Sequence, residues 1–213
     1  MSVNMRDAFF SGIYDCVKKD KNVIVITADH GAFGLSKIEK EFPNQFLNVG
    51  IAEQNMISLA AGLAHCGKIV YVYSINNFIT LRSLEHVNID LCAMNLVGVG
   101  AGFTYATDGP THQGMQDMQS MMVLPNLSVF NVTDHINSYE LALLGHANPG
   151  PKYFRIEKGN LPQIYSEKNT FNDGFFQIEE SSDSMIISTG YMIQTCLYLK
   201  DFIPNLGIMD LYR

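Results

Sequence analysis

Three stretches of this 213-residue sequence put polar, reactive side chains where apolar ones are expected. In Gly50-Ile51-Ala52-Glu53-Gln54-Asn55-Met56, a carboxylate opens an otherwise apolar helical run directly after a buried-looking strand. The helix dipole alone favours a glutamate there. The same position is also where open α/β sheets bind ligands, at the carboxyl ends of their strands. In Ala106-Thr107-Asp108-Gly109-Pro110-Thr111-His112-Gln113-Gly114, two glycines and a proline surround Asp108, His112 and Gln113. Turn chemistry needs the glycines and the proline but not the histidine and glutamine, so the loop is a candidate site. The structural alternative is that His112 caps the following helix. The third stretch, Tyr71–Glu85, sets Phe78 and Arg82 one helical turn apart at a strand–helix junction. Alone this pattern is weak, because an aromatic at helical spacing is normally core and Arg82 beside Glu85 fits a surface pair.

The elements that must position these residues are short apolar, β-branched runs alternating with helix-period segments, the pattern of a mostly parallel sheet wrapped by helices. Strands are predicted at Val23–Thr27, Phe46–Val49, Ile69–Ser74, Asn95–Gly100, Ser128–Val132 and Lys152–Ile156. Helices are predicted at about Asn4–Lys19, Ile51–Cys66, Asn77–Cys92 and Ser138–His146, with Gly67 placed to stop the second. The strands read as continuous apolar runs, as buried parallel strands do. The fold class is therefore α/β. Residues 1–160 form one domain, and a polar, Gly- and Pro-containing segment follows, with 161–172 as the linker. Residues 173–213 hold a strand pair around Phe175–Glu179 and Ser184–Thr189, a helix near Met192–Phe202 and a last strand at Gly207–Leu211. That short α/β segment cannot bury both faces of a parallel sheet alone, so it docks on the first domain, docks on a partner, or is an incomplete domain.

Composition excludes several function classes. The chain is 47% hydrophobic and 16% charged, which suits a packed core and not a disordered chain. Its net charge of −7 argues against a nucleic-acid or anionic-membrane partner. No window approaches the ~20 apolar residues of a membrane span, and the start lacks a signal pattern, so a cytoplasmic location is expected. Cys16, Cys66, Cys92 and Cys196 are far apart within apolar segments and form no CxxC pair. Buried free thiols are expected, and no metal site.

Taken in order, VGIAEQNM and DGPTHQG with an F…R segment between them resemble the pyrimidine-binding domain of transketolases and related thiamine-diphosphate enzymes. RDAF, TADHG, LPNLSV and FRIEKGNLP extend the resemblance over about residues 5–160, and IISTG and GIMDL look like the start of the family's C-terminal domain. The resemblance implies that Glu53 hydrogen-bonds a ring nitrogen of the cofactor's aminopyrimidine, favouring the tautomer that removes the thiazolium proton. It implies that Phe78 stacks on the pyrimidine and that Asp29 lies near the cofactor and a dimer interface. His112, in proton transfer, and Asp108 would meet substrate hydroxyl and carbonyl groups, with Gln113 beside them. Arg82, toward the cofactor, and Arg155, toward the substrate, are weaker carry-overs as structural or phosphate-facing cations.

The family holds the diphosphate through Mg²⁺ on a GDG…N segment in another domain, and no such pattern occurs in this sequence. The resemblance therefore implies a split transketolase. This chain would be the small subunit, a large subunit would supply the Mg²⁺ site, and the pair would close into a heterotetramer acting on small-molecule sugars. Departures bear on the substrate. Val99-Gly100-Ala101 stands where transketolases carry a histidine, Ala106-Thr107-Asp108-Gly109 replaces GEDG, and Phe33 replaces a serine that meets the sugar phosphate. Ile75 and Leu81 thin the aromatic ring around Phe78. A modified or nucleotide-linked sugar in a surface-glycan pathway fits these losses. Two other enzyme readings remain, a deoxyxylulose-phosphate-synthase-like carboligase and a 2-oxo acid dehydrogenase beta subunit. A catalytically silent regulatory partner of a transketolase is the reading from another class.

Overall fold

The Val/Ile-rich runs form the strands of a six-stranded parallel sheet, and the helices between them carry the chain back across its faces. The structure, a computed structural model, describes residues 3–166 and 168–213. In chain order the first unit holds α1 (Met5–Lys19), β1 (Val23–Thr27), α2 (Phe33–Glu41), β2 (Phe46–Asn48), α3 (Glu53–His65) and β3 (Ile69–Ile75). It continues with α4 (Asn76–Ile79), α5 (Leu84–Ile89), β4 (Met94–Val99), α6 (Asp117–Met122), β5 (Ser128–Asn131), α7 (His135–Ala147) and β6 (Lys152–Ile156). Strand order is β2-β1-β3-β4-β6-β5, every neighbouring pair parallel. Chain direction across the sheet reverses between β1 and β3, and ligands of open α/β sheets sit at such a switch point.

Both faces are sealed by apolar side chains. Phe9, Phe10 and Ile13 of α1, Leu35 and Ile38 of α2 and Leu141 of α7 cover one side. Met56, Ile57 and Ala60 of α3, Val87 of α5 and Met121 of α6 cover the other. α1 starts where Asn4 caps it, its side chain accepting from the Arg6 amide at 3.0 Å.

The structure departs from the sequence reading in three places. The run expected as one helix over Asn77–Cys92 is broken between α4 and α5. There the Thr80 hydroxyl donates to the Asn76 carbonyl at 2.6 Å and the Ser83 hydroxyl to the Phe78 carbonyl at 2.9 Å, offering the backbone a local alternative to the helix. α2 and α6 were not expected; α2 buries only Leu35 and Ile38 and has no side-chain cap, so it leaves little trace in the periodicity.

In the C-terminal segment, β7 (Phe176–Glu179) and β8 (Ser184–Ser188) do not pair with each other. β9 (Leu206–Asp210) lies between them, antiparallel to β7 and parallel to β8, with α8 (Met192–Leu199) packed against the sheet. The segment docks on the first unit. The Asn131 amide donates to the Tyr212 carbonyl at 3.0 Å, and the buried Asp210 accepts from the Thr133 hydroxyl at 2.6 Å and the Tyr165 hydroxyl at 2.5 Å. Cys16 and Cys196 are buried as expected, whereas Cys92 is half-buried and Cys66 lies exposed just past the end of α3. Among the described residues, no helix is long and apolar enough to cross a membrane.

Candidate active site

Turns at the carboxyl ends of β1, β2, β3 and β4 build the site. After β2, Gly50 adopts a positive φ of 72°, open to glycine at no steric cost, and the chain turns into α3. Glu53 is the first residue of that helix and is buried. Its Oε2 accepts from Arg82 Nη1 at 3.0 Å, while Oε1 is buried with no hydrogen-bond partner among the described residues. A buried carboxylate oxygen left without a donor costs roughly 1–3 kcal/mol, so the position suits a ligand that supplies one. Asn48 ties the neighbouring turns together: its Oδ1 accepts from the Gly50 and Asp29 amides, each at 3.0 Å. Asp29 itself is exposed, in the left-handed region at φ 57°.

After β3, the helix break described above lets Arg82 fold back instead of facing Glu85. Its guanidinium lies over the Phe78 ring, 3.9 Å from the centroid, while bonded to Glu53. A planar cation over an aromatic face adds roughly 0.5–2 kcal/mol and fixes both groups. Glu53, Arg82 and Phe78 thus form one unit.

After β4, the loop with the DGPTHQG string reaches back over this unit. His112 sits edge-on to Phe78, ring centroids 5.0 Å apart at 71°. It does not cap α6, whose N-cap is Gln116 without a side-chain bond; its Nδ1 instead lies 2.9 Å from the Thr111 hydroxyl. Asn77, beside Phe78, clamps the loop by donating to the Pro110 carbonyl at 3.0 Å and the Gln113 carbonyl at 2.9 Å. Gly114 is required by close approach, since a Cβ there would come within 2.6 Å of Asn76 Nδ2 and 2.8 Å of the Gly100 carbonyl. Gln113 turns its amide to the Ala106 carbonyl at 3.2 Å, and Asp108 is exposed in a 3₁₀ turn.

Arg155 does not join the group around Phe78. Its guanidinium is taken up by Asp117 at 2.8 Å, the Gly114 carbonyl at 3.1 Å and Asn131 at 3.3 Å, which makes it a brace for the loop base. It also lines a cavity of about 680 Å³ with Phe103, Lys158, Tyr191 and Met192; Glu53, Phe78 and His112 lie outside that cavity. Two participants were missed from the sequence. Asn77 had no signal beyond its place beside Phe78. His30 stood in the TADHG string, and its ring lies 5.6 Å from Phe78. Burial lowers the His30 pKa, partly opposed by the Glu53 carboxylate.

The transketolase pyrimidine-binding domain family matches residues 1–163. This chain belongs to the transketolase family. A Methanocaldococcus jannaschii protein described as a transketolase C-terminal section is 33% identical over 213 residues, covering 96% of this chain and 67% of that protein. One subunit of the apulose-4-phosphate transketolase of Phocaeicola vulgatus is 30% identical over 193 residues, covering 88% of this chain and 60% of that one. The chain thus spans about two thirds or less of these relatives' lengths. A split-gene transketolase solved as an inactive β4 tetramer superposes with a TM-score of 0.87 at 25% identity, covering 100% of this chain and 72% of that one. The six-stranded sheet and the small second sheet are the transketolase-family fold.

Proposed function

We propose that this chain is the small subunit of a split transketolase, moving a two-carbon ketol unit between sugars with thiamine diphosphate shared with a large subunit. One observation carries the reading: a buried glutamate with an idle Oε1, fixed by an arginine, beside an aromatic face and a histidine. These residues fit the cofactor's aminopyrimidine, a flat heterocycle with a ring nitrogen able to meet that oxygen. When bound, thiamine diphosphate supplies the electron sink for making and breaking a carbon–carbon bond beside a carbonyl.

The protein's own residues supply orientation and proton control. Glu53 would hold the ring nitrogen and set its protonation, with Arg82 keeping the carboxylate in place. Phe78 offers the stacking face, and Asp29 stands at the next turn. His112 lies against Phe78 and, with Asp108 from the same loop, would bind and relay protons to substrate oxygens, with Gln113 fixing the loop. Among the described residues no group of three or more His, Cys, Asp or Glu is placed to hold a metal ion. In this reading Mg²⁺ and the diphosphate belong to the large subunit, with closure as a heterotetramer. The relatives' names support the split arrangement and, in one case, an uncommon sugar phosphate. Phe33 at 82% exposure, where a phosphate-binding serine is expected, supports a donor or acceptor other than an ordinary pentose phosphate.

The test is reconstitution with a large subunit carrying the diphosphate domain, assayed on a panel of ketose donors and aldose acceptors. Glu53→Ala should lower turnover by about 10²–10⁴-fold with the fold intact by circular dichroism. Unchanged turnover sinks the catalytic reading, and pyruvate consumption with carbon dioxide release would replace ketol transfer by carboligation.

A further inference from the structure

Of the rings gathered at Phe78, His30 is the one to which the motifs assign no role. The fold nonetheless fixes it tightly. Its backbone follows the left-handed Asp29, a conformation that costs free energy in a non-glycine residue. Thr27 Oγ1 braces it from both sides, accepting from the His30 amide at 3.3 Å and donating to its carbonyl at 2.9 Å. From the neighbouring β3, the fully buried Ser74 places its hydroxyl 3.2 Å from His30 Nδ1. The Ser74 hydroxyl engages Nδ1 and the Ala28 backbone carbonyl also meets the ring, which is half-buried and tilts 44° to Phe78; a ligand would be met through Nε2.

We propose that His30 is a ligand-contacting residue of this cleft, hydrogen-bonding a substrate hydroxyl through Nε2. This rests on the reading of the cleft as a ketol-transfer site. Two observations favour a hydroxyl over a phosphate. A neutral imidazole has one donor and one acceptor, and a hydroxyl satisfies either tautomer. Burial and the neighbouring His112 favour the neutral ring, while the Glu53 and Asp29 carboxylates that also face it would repel an anion. A phosphate-binding wall would be built with cations instead.

The test uses the full chain in complex with its large subunit and thiamine diphosphate, with ¹⁵N-labelled histidine. Titration with D-xylulose, which is not phosphorylated, should move the His30 ring resonances and leave His65, His86, His135 and His146 in place; inorganic phosphate should not move His30. His30→Leu should lower kcat/KM for the ketose about tenfold, and His30→Gln, which keeps a hydrogen-bonding group near the Nε2 position, should recover to within about threefold. A complex that turns over ketoses with no His30 shift, or with His30→Leu equal to wild type, overturns the proposal and leaves ketol transfer standing. A wild-type complex inactive on every ketose fails the functional reading instead. The wild-type His30 resonance still decides the contact in that case, and its absence of movement overturns it.

Discussion

The six-stranded sheet has helices on both faces, and its central strands β3 and β4 are buried almost throughout. The three-stranded sheet of β7, β9 and β8 closes around Ile193, Cys196, Leu206 and Ile208, with Ile187, Tyr198 and Phe202 more than 60% exposed. The first can hold Glu53, Phe78 and His112 in place because the doubly packed β3 and β4 anchor the turn that carries Phe78, which Arg82 ties to Glu53 and Asn77 ties to the His112 loop. The second depends on its joint with the first: Asp210 held by Thr133 and Tyr165, and the Tyr212 carbonyl by Asn131. The proposed site lies on the unit that carries its own core, and the smaller unit is the one expected to open first.

Matched core truncations test that contrast most directly. Phe154 on β6 packs between Phe9 and Phe130, ring centroids 5.1 and 5.0 Å away, and Phe154→Ala should cost about 3–5 kcal/mol against global unfolding. Ile208→Ala removes the buried centre of the small cluster. It should instead raise hydrogen exchange in β7–β9 by several orders of magnitude while β3 and β4 keep their protection. Equal loss of protection in both sheets would break the comparison.

The joint should respond to pH. Burial pushes the Asp210 carboxyl up to about 6 from an ordinary 3.8, against the lowering pull of the Thr133 and Tyr165 hydroxyls. The folded chain then binds this proton more tightly than the unfolded chain does. Its contribution to stability is full below pH about 3.8, declines as pH rises, and is lost once pH passes about 6. Protection of the β9 amides relative to β3 should therefore fall between pH 4 and 7. Asp210→Asn should flatten that slope, and identical slopes would remove the joint's titration from the account.

Thiol labelling gives the smallest effect and the simplest measurement. Cys66 is exposed and should react first, followed by the half-buried Cys92. Cys196, in the small cluster, should react at the rate that unit opens. Cys16, whose thiol burial pushes up to about 11, should wait for global unfolding. Cys196 and Cys16 reacting together would show one cooperative unit in place of two.

Much of this was readable in the chain because it depends on local pattern. Val23–Thr27 announces itself as a strand by five β-branched residues in a row and Lys152–Ile156 by its Tyr-Phe pair and isoleucine, and the structure keeps both bounds. Glu53 stood out as a carboxylate opening an apolar helical run directly after a strand, and His112 as an imidazole in a turn whose chemistry needs only its glycines and proline. α2 and α6 were not readable, since few of their side chains are buried and neither has a side-chain cap.

The sequence by itself determined the α/β class, the family and the motif residues, because periodicity and residue type act over a few neighbours. Only the tertiary structure decided who meets whom. The Thr80 and Ser83 hydroxyls break a helix, so Arg82 pairs with Glu53, 29 positions away, and lies over Phe78 instead of facing Glu85. The crossing of parallel strands sets His30 against Ser74, 44 positions away. Arg155 is drawn to Asp117, Gly114 and Asn131. Such pairings are fixed by where buried charges and hydroxyls find partners once the sheet has closed, and no local pattern records that.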